Sequence, residues 1–371
     1  MPSPHNDPPL PLQEVLDVVN LTPEGEARRF MGRRAAHLPG SDFTGDELLL
    51  PRHNAAFGGH VYAQAALAVA RAWRELEDER GAKQGERLDL HTIHGFFTRR
   101  GISDRPFLYT VTPITTSRSF STLSVTARQP SEPSTNPQGD HFPPADASLP
   151  LSPPCFTAIC SLKLPEPDSA GVSMQEDPPQ TRFAPILSSR KPEDWPPSPP
   201  VDITGMVELA GADQAGRFPV ATMRKVDMTA YNADRPVHER RELILYKLLR
   251  PLPCSSSSGG EGLLWDANAH IVAHAFVADK NGLLMTGNHV GFGYSLARAA
   301  SLSYSFVVHV NAEQAVMREE DGWWVQEACF PRAAAGRGVV ECKIWSPRGV
   351  HVATEYQDGL VQGLEMGSSK L

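Results

Sequence analysis

Two stretches of this chain read as helices that are apolar on almost every side, and such helices have few places to sit. The first is an alanine-rich run from His60 to about Arg80, opened by Gly58-Gly59. At helical spacing Val61, Ala65, Ala68 and Ala72 form one stripe, and Tyr62, Ala66, Val69 and Trp73 form the next. A helix so clothed needs neighbours around most of its circumference. Its last turns, Glu75 to Arg80, become charged and stop at Gly81, as a helix emerging into water does. The second run is expected from about Gly262 to Lys280, with Leu264, Ala267, Ile271, Ala275 and Ala278 on one face.

Strand-like segments flanking each helix supply the neighbours. After the first come four of them, His91–Phe97, Phe107–Thr116, Ser119–Arg128 and Cys155–Leu164. In the third of these Phe120, Thr122, Ser124 and Thr126 alternate with Leu123, Val125 and Ala127, as a sheet with two unlike faces requires. Strand-like Leu243–Leu249 precedes the second helix, and Ser303–Val310, Trp323–Phe330, Val339–Ser346 and Val350–Tyr356 come after it. Ser346-Pro347-Arg348-Gly349 reads as a tight turn joining the last two. The expected class is α+β: an antiparallel sheet wrapped around a central helix, in duplicate. The repeats are expected at 15–165 and 206–365, with a Pro-rich linker at 166–205 and a tail at 366–371.

Composition narrows the function. A length of 371 residues suits two domains of ordinary size. No stretch approaches the ~20 uninterrupted apolar residues that span a bilayer, so no membrane insertion is expected. The 34 prolines cluster at 130–154, 164–200 and 251–253, and Ser255–Gly260 reads as a loop without chemistry. Cys155, Cys160, Cys254, Cys329 and Cys342 are odd in number and contain no Cys-x-x-Cys pair. Reduced thiols are expected, with neither a disulfide framework nor a metal site. A net charge of −8 with no basic run disfavours nucleic acid. The start, Met1-Pro2-Ser3-Pro4-His5, lacks a secretory layout. Ser369-Lys370-Leu371, preceded by Gly367-Ser368, matches the tripeptide read by the peroxisomal import receptor, so a place in the peroxisome matrix is expected.

Several local motifs, in order, resemble the acyl-CoA thioesterase II family, whose members are double hotdog proteins. Phe57-Gly58-Gly59-His60-Val61-Tyr62-Ala63-Gln64-Ala65 is similar to the start of that family's first central helix. His91-Thr92-Ile93-His94-Gly95-Phe96-Phe97 with Arg99 is similar to its next strand, and Ser117-Arg118-Ser119-Phe120 to the start of the one after. In the second half Asp279, Ala300-Ser301-Leu302 before a strand reaching His309, and Tyr356-Gln357-Asp358-Gly359 keep the family's order. The resemblance covers roughly residues 20–363.

It implies an acyl-CoA thioesterase without a cofactor, in which Asp279, Ser301 and Gln357 hold and activate a water; a homodimer is also implied. A thioester carbonyl lacks much of an ester's resonance protection, so a positioned water with a carboxylate base suffices. The oxyanion donor is expected to be a backbone N–H at the start of a central helix. Gly58, Gly59, His60, His94 and Arg118 are the candidates for substrate binding, with Arg99 and Arg100 as further partners for CoA phosphates. The chain departs from the family at Ser301, usually Thr, and at His60, usually Gln. It departs again at Ser303-Tyr304-Ser305-Phe306, where the family has Asp-His-Ser and an aromatic pair, and in a longer insertion at 130–154. These departures bear on substrate choice and rate more than on fold.

Each residue has a plainer reading. Asp279 also fits a carboxylate at a helix end, Ser301 a turn hydroxyl, Gln357 a structural amide, and His94, His289 and His309 core histidines. Two other functions stay open: a hotdog enoyl-CoA hydratase or dehydratase, which needs a His close to Asp279, and a non-catalytic acyl-CoA-binding protein. A serine hydrolase is disfavoured because no Gly-x-Ser-x-Gly occurs. Gly291-Phe292-Gly293 lacks the third glycine of a dinucleotide loop.

Overall fold

The structure is a computed structural model that describes residues 9–40, 54–135, 137, 141–167, 172–206, 218–252 and 266–364. The proposed targeting tripeptide, Cys254 and residues 262–265 of the second helical run lie outside them. Twelve strands form one antiparallel sheet. They are β1 (Val18–Glu24), β2 (Ala27–Gly32), β3 (Asp89–Phe97), β4 (Leu108–Thr116), β5 (Phe120–Arg128), β6 (Phe156–Lys163), β7 (Ala221–Lys225), β8 (Arg241–Leu248), β9 (Leu296–Val308), β10 (Trp324–Ala334), β11 (Arg337–Trp345) and β12 (His351–Gly363). Their spatial order is β1-β2-β4-β5-β6-β3-β9-β12-β11-β10-β8-β7. The first six belong to the first half of the chain and the last six to the second. The halves meet where β3 pairs with β9, from Thr92 opposite Val307 to Phe96 opposite Ser303.

Three helices matter for the site: α1 (Gly58–Glu79), α2 (Ala267–Ala278) and α3 (Gly282–His289). All twelve residues of α2 are buried, which explains its apolar circumference. Asp266 caps α2 by accepting the Asn268 N–H at 3.0 Å. Beyond the helix Asn281 adopts the left-handed conformation, φ 65°, and breaks the run before α3. The helices α1 and α2 lie antiparallel in a single core that draws on both halves, including Val69, Trp73, Phe156, Ile271, Phe276, Phe306 and Val340. Each such fully buried large side chain contributes about 1.5–3 kcal/mol of transfer free energy.

The two ends of the helix pair differ. At one end the start of α1 meets the residue after α2. At the other, Arg74 of α1 bonds Asp266 at 2.6 Å and Glu77 at 3.0 Å. There Asn268 and Glu77 also accept the Leu90 and Leu88 N–H groups, each at 2.7 Å. That second end is filled by ion pairs and caps.

Three strands and a helix go beyond the sequence expectation. The edge strand β7 is only five residues long, β1 is exposed over most of its length, and Pro23 sits in β1, where an edge tolerates it. Also absent from that expectation were β2 and α3. On the other side, β9 starts at Leu296 and β12 runs on to Gly363, so Gln357 lies inside a strand. Between the halves, Phe183 and Trp195 are buried against Leu243, Leu245, Val325 and Trp345 on the outer face of the sheet. Arg182 there grips Glu327 with both nitrogens, at 2.8 and 2.6 Å. The four described cysteines are free and buried. Among the described residues, no helix is long and apolar enough to cross a membrane.

Candidate active site

Asp279 comes directly after the last residue of α2 and is buried, only 6% exposed. It is not the solvated carboxylate that a helix end ordinarily carries. Its Oδ2 accepts the Gly59 N–H at 2.5 Å and its Oδ1 accepts Gln357 Nε2 at 2.7 Å. Burial pushes its pKa up to about 8, against the opposing pull of these two hydrogen bonds.

Gln357 is the hub. Its Nε2 also lies 2.9 Å from Ser301 Oγ and 2.5 Å from Tyr304 OH, while its Oε1 has no protein partner among the described residues. Ser301 and Tyr304 approach each other at 3.5 Å. Strict alternation would place these two on opposite faces of β9. They share a face because the register with β12 steps from Asp358 opposite Ser303 to Gly359 opposite Ser301. Leu302 is the extra residue of that bulge, and the bulge re-aims Ser301 inward. Gly359 makes it feasible: a Cβ there would lie 2.7 Å from the Ala300 carbonyl oxygen and 2.3 Å from Leu283.

The structure thus brings Asp279, Ser301 and Gln357 together, with Gly58 and Gly59 supplied from the other half. A Cβ on Gly58 would sit 3.0 Å from Asp279 Oδ2 and 3.4 Å from Ser301 Oγ, so the site needs glycine for close approach. Tyr304, expected from the sequence only as a departure from the family pattern, belongs to the cluster. Its alternation with Phe306 and Val308 along one face was the available signal.

The other candidates lie elsewhere. His60 is fully buried against Phe276, and its Nδ1 accepts the His37 N–H at 3.5 Å. Burial lowers its pKa to about 4, so it is neutral. His94 is exposed on the outer face of β3, 3.0 Å from Ser305 Oγ. Arg118 is exposed in the turn before β5. The pairing of Phe120 with Lys163, and of Lys163 with Asp89, puts that turn at the far end of β3 from Phe97, whose ring lies 3.5 Å from where a Gly58 Cβ would be. At ~3.3 Å per residue the separation is about 26 Å along the strand. Arg99 and Arg100 are exposed. His289 bonds Glu242 at 2.9 Å and His309 bonds Thr354 at 2.8 Å. No cluster of three or more metal-ligating side chains occurs among the described residues.

Residues 50–141 match the family model described as the acyl-CoA thioesterase N-terminal domain, and residues 209–361 match its C-terminal counterpart. The chain belongs to the acyl-CoA thioesterase family. It is therefore a thioester hydrolase by family. Human acyl-coenzyme A thioesterase 8 is 25% identical over 366 residues, covering 96% of this chain and 92% of that protein. An acyl-CoA thioesterase II from Mycobacterium marinum superposes with a TM-score of 0.58 at 20% identity, covering 96% of this chain and 98% of that one. A hotdog-fold protein of unknown function from Alicyclobacillus acidocaldarius gives 0.52 at 14% identity, covering 95% and 98%. At such identities the solved structures speak for the fold, and this thioesterase is a double hotdog.

Proposed function

We propose that the chain hydrolyses acyl-CoA by direct attack of one water, without a covalent enzyme intermediate. Asp279 in its ionised form is the base, and Ser301 and Gln357 fix the water beside it. The observation that carries this reading is the convergence on Gln357 Nε2 of Asp279 Oδ1 at 2.7 Å and Ser301 Oγ at 2.9 Å. The water oxygen bonds to the thioester carbon while its proton passes to Asp279. The oxyanion then collapses, the C–S bond breaks, and the CoA sulfur takes the proton back from Asp279. Free acid and CoA leave, and the carboxylate is restored. Gly58 N–H, the first of α1, is the proposed oxyanion donor, since Gly59 N–H is spent on Asp279.

The test is thiol release from saturated and enoyl acyl-CoAs of graded chain length, with wild type and Asp279→Asn side by side. Release by wild type and its loss by at least about a thousandfold in the folded variant is expected. Full activity in the variant would remove Asp279 from this role. Loss of enoyl absorbance without thiol release would replace hydrolysis with hydration.

A further inference from the structure

Beside the water site the inner wall of the second half holds a carboxyl group that the hydrolysis does not use. Along β12 the residues facing the helices are Ala353, Glu355, Gln357, Gly359 and Val361, all buried. Glu355 is 1% exposed, and its Oε1 has no protein hydrogen-bond partner among the described residues. The other three buried glutamates among the described residues are all held. Glu77 accepts from Trp73 and the Leu88 N–H, Glu242 from His289, and Glu327 from Arg182 and Trp345. No such partner among the described residues reaches Glu355 Oε1, which makes Glu355 the exception.

Glu355 stands opposite Phe306 on β9 and opposite Cys342 on β11. On β10 Gln326 stands opposite Ile344, two residues along from Cys342; its Nε2 donates to the Ala278 carbonyl oxygen at 3.1 Å, and its Oε1 is also without a partner among the described residues. Glu355, Cys342 and Gln326 so draw a polar strip across three neighbouring strands of a wall otherwise made of Ala328, Val340 and Ile344. Two residues along a strand span about 7 Å, so the strip begins within that distance of Gln357. Burial drives the Glu355 pKa well up, with Asp279 adding to it, which favours the protonated acid, a group that can both donate and accept.

A hydrocarbon chain offers such groups nothing. An unmet buried polar atom costs about 1–3 kcal/mol, and a valine or leucine would serve a plain fatty acyl tail without that cost. Sites that hold buried polar groups in readiness discriminate strongly for ligands that satisfy them. We propose that Glu355 is a specificity-determining residue that recognises a hydrogen-bonding substituent, a hydroxyl or an amide, on the acyl group. The proposal rests on the thioesterase reading and refines it: the substrate is a functionalised acyl-CoA rather than an unsubstituted fatty acyl-CoA.

Octanoyl-CoA and a set of hydroxyoctanoyl-CoA isomers, hydroxylated at successive carbons, form the test panel for wild type, Glu355→Val and Glu355→Gln. Wild type is expected to favour at least one hydroxy isomer over octanoyl-CoA by about tenfold or more in kcat/KM. The ratio should fall to one or below in Glu355→Val and be largely kept in Glu355→Gln. Equal ratios in wild type and Glu355→Val, or a wild type that favours octanoyl-CoA over every isomer, would overturn the assignment. Should the valine variant fail to fold, the wild-type ratio alone decides. Absence of thiol release from any thioester would instead sink the hydrolase reading. The preference is then read separately, from wild-type binding of the non-hydrolysable thioethers of octanoyl- and hydroxyoctanoyl-CoA.

Discussion

Replacing Asp279 by asparagine should inactivate the protein and, above about pH 5, make it more stable. The unfolded chain ionises this carboxyl near 3.8, whereas the folded chain holds its pKa at about 8 because the site is buried. The fold therefore prefers the neutral acid, and stability is lost as pH rises from about 4 to about 8. At about 1.4 kcal/mol per pH unit, the window from pH 4 to 8 bounds the loss at roughly 5 kcal/mol. Water reaching the site offsets part of that, and about 2 kcal/mol is expected. Asparagine matches the neutral acid. Its oxygen keeps the Gly59 N–H, and its amide donates to Gln357 Oε1, which has no other partner among the described residues, once that side chain flips. The two proteins should unfold together near pH 4 and diverge steadily above it. Denaturant unfolding of both between pH 4 and 8 reads the effect, as does a melting difference of about 2–3 °C at pH 8. Coincident curves across the range, or an asparagine variant that is weaker at pH 8, would refute the premise that burial dominates this carboxyl.

Two further substitutions probe the cluster. Tyr304→Phe removes the hydroxyl 2.5 Å from Gln357 Nε2. A three- to tenfold fall in kcat at unchanged KM is expected, matching the ~0.5–1.5 kcal/mol of one hydrogen bond; an unchanged kcat would leave the phenol a packing role. Gly58→Ala drives a methyl to 3.0 Å from Asp279 Oδ2 while improving helix propensity by up to about 1 kcal/mol. It should slow turnover at least about tenfold without lowering the melting temperature, and a drop in both together would mean that the glycine serves the fold.

The helices α1 and α2 were legible because burial on most sides leaves long runs of apolar and small residues, whereas the short α3 leaves no such run. Central strands such as β5 were legible for a similar reason: one wet face and one dry face force alternation. The edge β1 is wet over most of its length, and β7 is too short, at five residues, for its alternation to stand out. Asp279, Ser301 and Gln357 could be nominated from the family resemblance, but not the geometry that unites them. Ser301 reaches the inner face only through the bulge at Leu302, and a bulge depends on how two distant strands pair. Tyr304 and Glu355 were missed for a related reason. Each is a polar group in an inward row, visible as such only when the face of its strand is known. His94 and Arg118 were proposed from neighbouring motifs, which say nothing of the face or the strand end on which a side chain stands.

A sheet built from two like halves offers two places where one helix begins as the other ends. Here one holds Asp279 under Gly59, and the other is closed by Arg74, Asp266 and Glu77. In an assembly of two identical short chains, symmetry would force both places to stay alike, and every change useful at one would be imposed on the other. Joining the halves in one polypeptide lifts that obligation. One junction is free to keep a buried carboxyl whose ionisation weakens the fold, while its counterpart specialises in holding the helices together. Labour is divided within the chain, and an active-site titration should count one centre per molecule.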